Sequence, residues 1–258
     1  MSRWRLSAHA FRTILTKEIL RFSRIWLQTV LPPMVTTALY FVIFGRLIGS
    51  RLGEMDGHPY IDFIVPGLIL MSVISNSYAN VVSSFYNAKF QRHVEELLIS
   101  PVPNAVILGG YVAGGVVRGL VVGTAVTVVA SFFTDFAVHS YAVTVAVFLL
   151  TSMLFATAGF VNAVFANSFD DISVIPTFVL TPLTYLGGVF YSVSLLPEVW
   201  QRVSFANPVL YMINAFRYGL LGVTDIDLGL AFGLIVAFIV ALGGFALWLL
   251  DRGIGLKS

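Results

Sequence analysis

Long apolar runs separated by short polar stretches are the main pattern of this chain. A helix needs about 20 predominantly apolar residues to cross a lipid bilayer, and six runs come close to or exceed that length. They predict membrane spans over residues 27–48, 60–85, 104–133, 141–165, 172–191 and 228–250. The pattern therefore predicts an all-α polytopic membrane protein, built as a single transmembrane domain over residues 1–258.

The segment before the first run is amphipathic rather than continuously apolar. Arginine and lysine occupy many of its positions, which is typical of a helix that lies in the headgroup region with its apolar face towards the lipid. We predict an interfacial helix over residues 1–26, with a solvated basic tail as the alternative. The charges also leave no apolar core for a cleavable signal peptide. The large apolar side chains recur at steps of seven and four, at Trp4, Phe11, Leu15, Phe22 and Trp26.

The stretch between the second and third runs is the most polar break in the chain. We predict a short amphipathic helix over residues 89–99, in which Arg92 is spaced to contact Glu95 and Glu96. The following Ser-Pro-Val-Pro turn ends this helix, because residues before proline are pushed out of the α region. Such a helix either lies on the lipid surface or docks on a partner protein. Its apolar residues share one helix face and are Phe90, Val94, Leu97 and Leu98.

The region between the fifth and sixth runs, residues 192–222, is too apolar to be solvated and too broken to cross a bilayer. It predicts two short helices at the outer face, which lie at the interface or re-enter the membrane where protein covers their backbone. A cap over a substrate vestibule and an aromatic anchor are both open interpretations. An asparagine N-cap before proline opens the second helix. The residues that mark the break and the helix starts are Gly187, Gly188, Pro197, Asn207 and Pro208.

Composition agrees with lipid as the solvent. Hydrophobic residues make up 58% of the 258 residues and charged residues 11%, whereas a soluble domain is about 25% charged. The chain has no cysteine, which excludes disulfides and thiolate metal sites, and its net charge of +2 gives no sign of nucleic-acid binding.

The distribution of Lys and Arg predicts the orientation in the membrane. Ten of these residues lie in the N-terminal segment, the loop containing Lys89 and the C-terminal tail. The opposite, outer loops have four, which are Arg46, Arg51, Arg202 and Arg217. Because positive loops stay in the cytoplasm, both termini and the helix over residues 89–99 are predicted to be cytoplasmic.

We find no residues arranged for catalysis or metal binding. The sequence has no Walker A pattern and no Gly-x-Ser-x-Gly elbow, and its four histidines are scattered without carboxylates at ligand spacing. Gly109, Gly110, Gly114 and Gly115 lie in an apolar run, where small residues favour close helix packing. The chain is therefore predicted not to be an enzyme and to hold no cofactor of its own.

Arg118 lies in the middle of the third predicted span. A charge at that depth costs about 3 kcal/mol on insertion scales, so it faces protein or water and finds a polar partner. We interpret it as a buried polar contact. A structural charge held at a subunit contact is favoured over a substrate ligand.

Several stretches together resemble the membrane-spanning permease subunit of type-2 ABC exporters, a group that includes polysaccharide, lipid and drug export permeases. The resemblance covers nearly the whole chain. The matching stretches are the basic segment before Leu31-Pro32-Pro33, FIVPGLILMS (63–72), VEELLISPVP (94–103), TPLTYLGGVFYSVSLLP (181–197) and FANPVLYMINAFRYG (205–219).

The resemblance implies six spans, a homodimer in the bacterial inner membrane and two copies of a separate ATPase subunit that binds ATP and magnesium. It implies that residues 89–99 form the coupling helix, with Arg92, Glu95 and Glu96 facing the ATPase and Leu97 and Leu98 holding the membrane domain. It also implies that the short helices after Tyr191 are re-entrant and that an amphipathic lipid-like or glycan-like substrate or a drug is exported. An ATP-independent transporter or channel and a membrane scaffold remain the alternatives.

Overall fold

The computed structural model describes residues 3–135 and 138–255, without the side chains of Arg3 and Arg46. These ranges are almost entirely helical. The α-helices are α1 (Arg3–Arg24), α2 (Trp26–Tyr40), α3 (Gly49–Leu52), α4 (Tyr60–Phe90), α5 (His93–Ile99), α6 (Asn104–Ala130), α7 (Tyr141–Phe165), α8 (Asp171–Ile175), α9 (Thr181–Tyr185), α10 (Glu198–Phe205), α11 (Pro208–Leu221) and α12 (Leu228–Arg252). Two π-helical stretches, Phe41–Ile48 and Pro176–Leu180, join α2 to α3 and α8 to α9, and a 3-10 turn covers Val193–Leu195.

Five continuous helices in the described ranges are long and apolar enough to cross a membrane. They agree with the first, second, third, fourth and sixth predicted spans to within a few residues. The prediction of an all-α polytopic membrane protein is therefore confirmed. The five helices are Trp26–Leu52, Tyr60–Phe90, Asn104–Ala130, Tyr141–Phe165 and Leu228–Arg252.

The segment predicted as the fifth span, residues 172–191, is not a regular long helix. Its helical part is α8, the π-helical stretch and α9, which end at Tyr185. At ~1.5 Å per residue this part measures about 22 Å, which is less than the bilayer core of about 30 Å. Pro176 and Pro182 have no backbone N–H and cannot donate hydrogen bonds within this helical part. The glycine turn that follows reaches a left-handed backbone at Gly188, where φ is 77°.

Contacts between helix ends define one face of the molecule, which we call the Lys89 face. Lys89, near the end of α4, donates hydrogen bonds to the carbonyls of Val164 and Ala166 at the end of α7. Asn104, at the start of α6, donates to Asp251 near the end of α12. The ends of α4, α7 and α12 and the start of α6 therefore lie together on this face.

The opposite face is defined by Tyr60 at the start of α4, and we call it the Tyr60 face. The Tyr60 hydroxyl donates to the carbonyl of Phe190 at 2.9 Å. The backbone N–H of His139, just before α7, donates to the carbonyl of Leu220 in the last turn of α11. Because Asp171 follows the end of α7 and Phe190 lies beside Tyr60, residues 171–190 lead from one face to the other.

Helix α4 is the centre of the molecule. It packs against α6, α7 and α11, and Phe63, Ile69, Ile74 and Phe85 along it have no exposed surface. Helix α12 lies at the edge against α7 and α11, and most of its outer side chains are exposed for contact with lipid. Most of the buried core therefore lies among α4, α6, α7 and α11.

Glycines on α6 allow close helix contacts, as predicted, at Gly110, Gly114 and Gly115. A Cβ atom at Gly110 would lie 2.7 Å from Ile14 Cγ2, and one at Gly114 would lie 2.5 Å from Glu18 Cβ. Real Cβ atoms do not approach other atoms so closely, so larger residues at these two positions would push α1 away from α6. The glycine spacing on α6 therefore sets the distance between the two helices.

The buried face of α1 differs from the predicted apolar stripe. Ile14, Glu18 and Phe22 are buried, whereas Trp4 is 80% exposed and Trp26 is 59% exposed. Ile14 and Glu18 pack on the glycines of α6, and Phe22 is the buried member of the predicted stripe. The orientation of that stripe towards lipid stays a prediction. The helix itself is present over nearly the whole predicted segment.

A small β-hairpin between the first two spans was not predicted. Strands β1 (Glu54–Met55) and β2 (His58–Pro59) pair antiparallel. Asp56 and Gly57 form the turn with φ values of 51° and 78°, and an Asp-Gly pair favours this positive-φ turn. With only two residues in each strand, the hairpin leaves no alternating pattern that sequence inspection can recognise.

A candidate coupling surface and the buried polar sites

The predicted helix over residues 89–99 is divided in two. Helix α4 continues through Phe90, and α5 begins only at His93. Between them Arg92 has a left-handed backbone with φ of 62°, and the N–H groups of Gln91 and Arg92 bond back to Asn87 and Lys89. The prediction of one helix was therefore wrong for residues 91 and 92, because the chain turns there.

The end of α5 and most of its inner face agree with the prediction. Val94 is buried, and Leu97 and Leu98 are half-buried against the core. Phe90 does not belong to this face, since it ends α4 and is 64% exposed. Ser100 then adopts an extended backbone, with ψ of 153°, and α5 stops before the two prolines.

The outer face of α5 carries exposed acidic and apolar groups. Glu95 and Glu96 are exposed in its first turn, where a helix N-terminus favours negative charge. Arg92 is exposed but makes no ion pair with them. Among the described residues, the ion pairs are Glu18–Arg21 and Glu198–Arg202. Arg92 lies outside the helix, so the helical spacing used for the prediction does not apply to it.

Ile99 is a further surface residue that the sequence analysis missed. It is 85% exposed at the last position of α5. We call the exposed residues Glu95, Glu96 and Ile99 the α5 surface. Two carboxylates beside a protruding aliphatic side chain form a combination suited to protein contact, because interfaces pair an apolar centre with a polar rim.

The loop after α7 supports the joint between α4 and α5. Lys89 Nζ lies 2.7 Å from the Val164 carbonyl and 2.8 Å from the Ala166 carbonyl, so its charge meets the negative end of α7. In the same loop the Asn167 N–H donates to Asp171 at 2.8 Å, and this bond lowers the pKa of the Asp171 carboxyl. A cavity of about 310 Å³ beside Lys89 separates the loop from Arg92.

A buried polar cluster joins α1 to α4, and the sequence analysis did not identify it. Glu18 has no exposed surface. Its Oε2 accepts from Arg21 Nη2 at 3.1 Å and from Asn80 Nδ2 at 3.2 Å, while Oε1 accepts from the Ser84 hydroxyl. Arg21 Nη2 also donates to the Asn80 carbonyl and to Asn80 Oδ1, each at 2.8 Å. We call these four residues the Glu18 cluster.

The Glu18 carboxylate is well satisfied for a buried charge, although the buried Nε of Arg21 has no partner among the described residues. Each Glu18 oxygen has a donor, and the acid lies next to its own cation. Removing one partner of such a buried pair typically destabilises a protein by 3–5 kcal/mol. The spacings Glu18–Arg21 and Asn80–Ser84 are one helical turn each, which is the signal that could have located the cluster on both helices.

Arg118 lies in the middle of α6 and is only partly satisfied. Its Nη2 donates to Asn76 Oδ1 at 3.4 Å, and its buried Nε has no partner among the described residues. The structure thus brings Arg118 against a polar side chain of α4 but supplies no carboxylate to it.

Arg217 is buried, although the sequence analysis counted it with the outer loops. It is 1% exposed in α11. Its Nη2 donates to the Gly188 carbonyl at 2.6 Å, and its guanidinium carbon lies 3.9 Å from the centre of the Phe63 ring. The count was wrong here because α11 packs into the core instead of lying in a loop.

The segment over residues 192–222 has the local features predicted from its sequence. Asn207 Oδ1 accepts from the Val209 N–H at 2.9 Å, so Asn207 caps α11, and Pro208 is its first residue. The same side chain donates to the Leu183 carbonyl at 2.6 Å, which ties α11 to α9. Pro197 immediately precedes α10, and a Cβ at Gly187 would lie 2.9 Å from Val209.

Aromatic residues connect the first span with α9 and the turn that follows it. The Tyr40 and Tyr185 hydroxyls lie 3.2 Å apart. Phe44 and Phe190 are 4.7 Å apart between ring centres, and Phe190 also stacks on Tyr185. This aromatic contact closes the space between α2 and α9 towards the Tyr60 face.

The family of this chain follows from comparing its sequence with known sequences. The sequence model of the ABC-2 type transporter matches residues 9–221. The inner membrane transport permease YadH of Escherichia coli (strain K12) is 59% identical over 249 residues, which cover 96% of this chain and 97% of that protein. Nodulation protein J of Rhizobium meliloti (strain 1021) is 26% identical over 227 residues, covering 87% and 86%. Nodulation protein J of Neorhizobium galegae is 24% identical over 225 residues, with the same coverage.

The two comparisons agree with the five apolar helices and confirm the resemblance inferred from the sequence motifs. The chain is a multi-pass membrane protein that belongs to the ABC-2 type transporter family.

Proposed function

We propose that this chain is the permease subunit of an ATP-driven exporter in the bacterial inner membrane. Two copies form a homodimer that works with two copies of a separate ATPase subunit, and that subunit binds ATP and magnesium. The permease itself is not catalytic. The observation that carries the proposal is the α5 surface, which is exposed, short and joined directly to the central helix α4.

The α5 surface suits the transfer of motion from a partner. Val94 anchors α5 on the core, and the break at Arg92 is held by hydrogen bonds to α4. The prolines at 101 and 103 stiffen the connection to α6. A push on Glu95, Glu96 and Ile99 therefore reaches α4 and α6 without passing through a flexible loop.

We also propose six crossings with both termini in the cytoplasm. Residues 171–190 lead from the Lys89 face to the Tyr60 face, so they act as the fifth crossing despite the shortness of α8 and α9. A cavity lined by Leu6 and Pro103 places the start of α1 near the end of α5, and α12 also ends on the Lys89 face. The basic residues of α1 favour this face as the cytoplasmic one.

The outer helices α10 and α11 then belong to the non-cytoplasmic side. Helix α11 is a re-entrant element in this proposal, because its buried residues pack on α4 and α7. Helix α10 exposes Val199 and Trp200 for the lipid interface. The substrate we propose is an amphipathic lipid-like or glycan-like molecule or a drug.

The deciding experiment is charge reversal on the α5 surface. The variant Glu95→Lys/Glu96→Lys should fold and insert normally but lose co-purification with the ATPase subunit and stimulation of ATP hydrolysis in lipid. Electrostatic mismatch at a docked interface costs several kcal/mol, whereas exposed positions change stability by about 0.5 kcal/mol. The control is Glu54→Lys, another exposed acid, on the other face.

Full ATPase binding by the double variant would reject the coupling role of α5. Transport by the purified chain alone, without any ATPase, would instead point to an ATP-independent transporter or channel. Partner capture without transport would point to a scaffold.

A further inference from the structure

The strongest unexplained feature of the membrane region is the cation Arg118. A guanidinium has five N–H donors and keeps its charge in proteins. Among the described residues, Arg118 has the single long bond to Asn76, while its buried Nε has no acceptor. A partly buried cation in this condition is open to binding an anion from outside the chain.

No acid of the described chain fills this role. Among the described residues the buried carboxylate is Glu18, on α1, which packs against the same helix α6. Its two oxygens already accept from Arg21, Asn80 and Ser84. The second ion pair, Glu198–Arg202, is exposed on α10. Arg118 is therefore left with a positive charge that the described residues do not neutralise.

An apolar groove ends at the partner of Arg118. The groove lies between α2 and α4 and has a volume of about 270 Å³, enough for about nine water molecules at ~30 Å³ each. We call it the α2–α4 groove. Asn76, whose Oδ1 accepts from Arg118, lies in its wall. The lining also includes Pro33, Thr36, Tyr40, Leu68 and Ser72.

Two polar side chains of the α4 wall, Ser72 and Asn76, use their donors within their own helix. The Ser72 hydroxyl donates to the Leu68 carbonyl at 3.1 Å, and Asn76 Nδ2 donates to the Ser72 carbonyl at 3.0 Å. This wall therefore presents mainly carbon to an occupant. An alkyl chain fits such a lining. Asn76 connects this end of the groove to the Arg118 guanidinium.

The depth of Arg118 in the membrane distinguishes between two kinds of ligand, a transported molecule and an ordinary bilayer lipid. Arg118 lies near the middle of α6 (Asn104–Ala130), about 20 Å from either helix end at ~1.5 Å per residue. Phosphates of bilayer lipids stay at the interface, about 15 Å from the midplane. An anionic head that reaches Arg118 has left the interface, which is expected of a molecule in transit.

We propose that Arg118 and Asn76 form an intramembrane anion site for the transported molecule, an amphiphile with an anionic head and an apolar tail in the α2–α4 groove. The proposal rests on the permease function proposed above and adds the charge of the substrate. Arg118 binds the phosphate or carboxylate through its planar fork, and Asn76 orients the guanidinium.

The test measures binding to the purified permease alone, in nanodiscs of zwitterionic lipid. The probes are dodecyl phosphate, dodecyltrimethylammonium and dodecyl maltoside, which share a tail and differ in head charge. We expect the wild-type protein to prefer dodecyl phosphate. Arg118→Gln should weaken dodecyl phosphate binding by roughly tenfold to a hundredfold, as expected for lost hydrogen bonds to a charged group, and leave dodecyl maltoside unchanged.

Two further variants serve as controls. Arg51→Gln removes an exposed arginine outside the groove and should leave all three affinities unchanged. Arg118→Lys keeps the charge without the fork and should keep the preference for phosphate over trimethylammonium at reduced affinity. It covers the case in which Arg118→Gln does not fold.

Several results would overturn the assignment. One is an equal affinity of the wild-type protein for dodecyl phosphate and dodecyltrimethylammonium. The others are unchanged dodecyl phosphate binding in folded Arg118→Gln, and no preference of Arg118→Lys for dodecyl phosphate over dodecyltrimethylammonium. Equal displacement of dodecyl phosphate by dioleoyl phosphatidylglycerol would identify a bilayer-lipid site, and loss of dimers in Arg118→Gln would identify a subunit contact. No ATPase is present in this assay, so its result is independent of the coupling test on α5.

Discussion

Glu18 on α1 and Arg21 one turn later form a buried ion pair, with 3.1 Å between Glu18 Oε2 and Arg21 Nη2. The pair is held by Asn80 and Ser84 of α4 and lies against Gly114 of α6. A helix that is amphipathic in sequence is thereby attached to the centre of the membrane domain through charge.

We predict that Glu18→Ala destabilises the permease by about 3 kcal/mol or more, because Arg21 loses its carboxylate in a buried setting. Thermal unfolding in a fixed detergent measures the loss. The double variant Glu18→Leu/Arg21→Leu should recover part of the stability, since it leaves no charge behind. As a control, Glu198→Ala breaks an exposed ion pair and should change stability by at most about 1 kcal/mol. An equal loss of stability in Glu18→Ala and Glu198→Ala would show that the Glu18 cluster does not stabilise the fold.

We predict that Lys89→Met loosens the loop after α7. The variant removes two charge-assisted hydrogen bonds to the carbonyls of Val164 and Ala166, and a loss of about 2 kcal/mol is expected for a partly buried group of this kind. Hydrogen exchange should increase at residues 164–171 more than elsewhere. Lys17→Met, an exposed lysine on α1, is the matched control. Unchanged exchange in this loop for Lys89→Met would contradict the prediction.

We predict opposite effects for alanine at two helical glycines. Gly114→Ala should destabilise the protein by about 1–3 kcal/mol, because the new Cβ would meet Glu18 Cβ at 2.5 Å. Gly233→Ala should be neutral or stabilising, since nothing lies within 4 Å of its Cβ position and alanine favours a helix over glycine. Unfolding midpoints of the two variants compare them directly. A stable Gly114→Ala protein would mean that α1 and α6 are farther apart than described.

The topology can be tested with single cysteines, because the chain has none. Asp56→Cys, in the turn between β1 and β2, should react with an impermeant thiol reagent added to the outside of intact cells. His93→Cys, at the exposed start of α5, should react only after the cells are opened. Labelling of His93→Cys in intact cells would place α5 outside and reject the cytoplasmic assignment.

The long helices were predictable from the sequence because each needs only a local run of apolar residues. Asn207 and Pro208 were likewise readable, since an N-cap and a first-turn proline act within four residues of chain. The five long helices and the start of α11 therefore follow from information inside each element.

The Glu18 cluster was not predictable in the same way. Glu18 is separated from Asn80 and Ser84 by more than sixty residues, and nothing local shows that Gly114 leaves room for it. Arg217 was misread for a similar reason, since its partners, Gly188 and Phe63, are distant in sequence. The break at Arg92 depends on one backbone angle, which apolar spacing does not report.

The two π-helical stretches have a consequence for the contact between Tyr40 and Tyr185. One begins at Phe41, directly after Tyr40, and the other ends at Leu180, shortly before Tyr185. A π turn holds one residue more than an α turn needs, and the conversion of one to the other rotates the following residues by about 100°. Each of the two helices that meet at these tyrosines therefore has one additional residue, in its π turn, near the point of contact. If the π turn moves along its helix, different side chains of that helix face the other one. Neither helix has to unwind for this change.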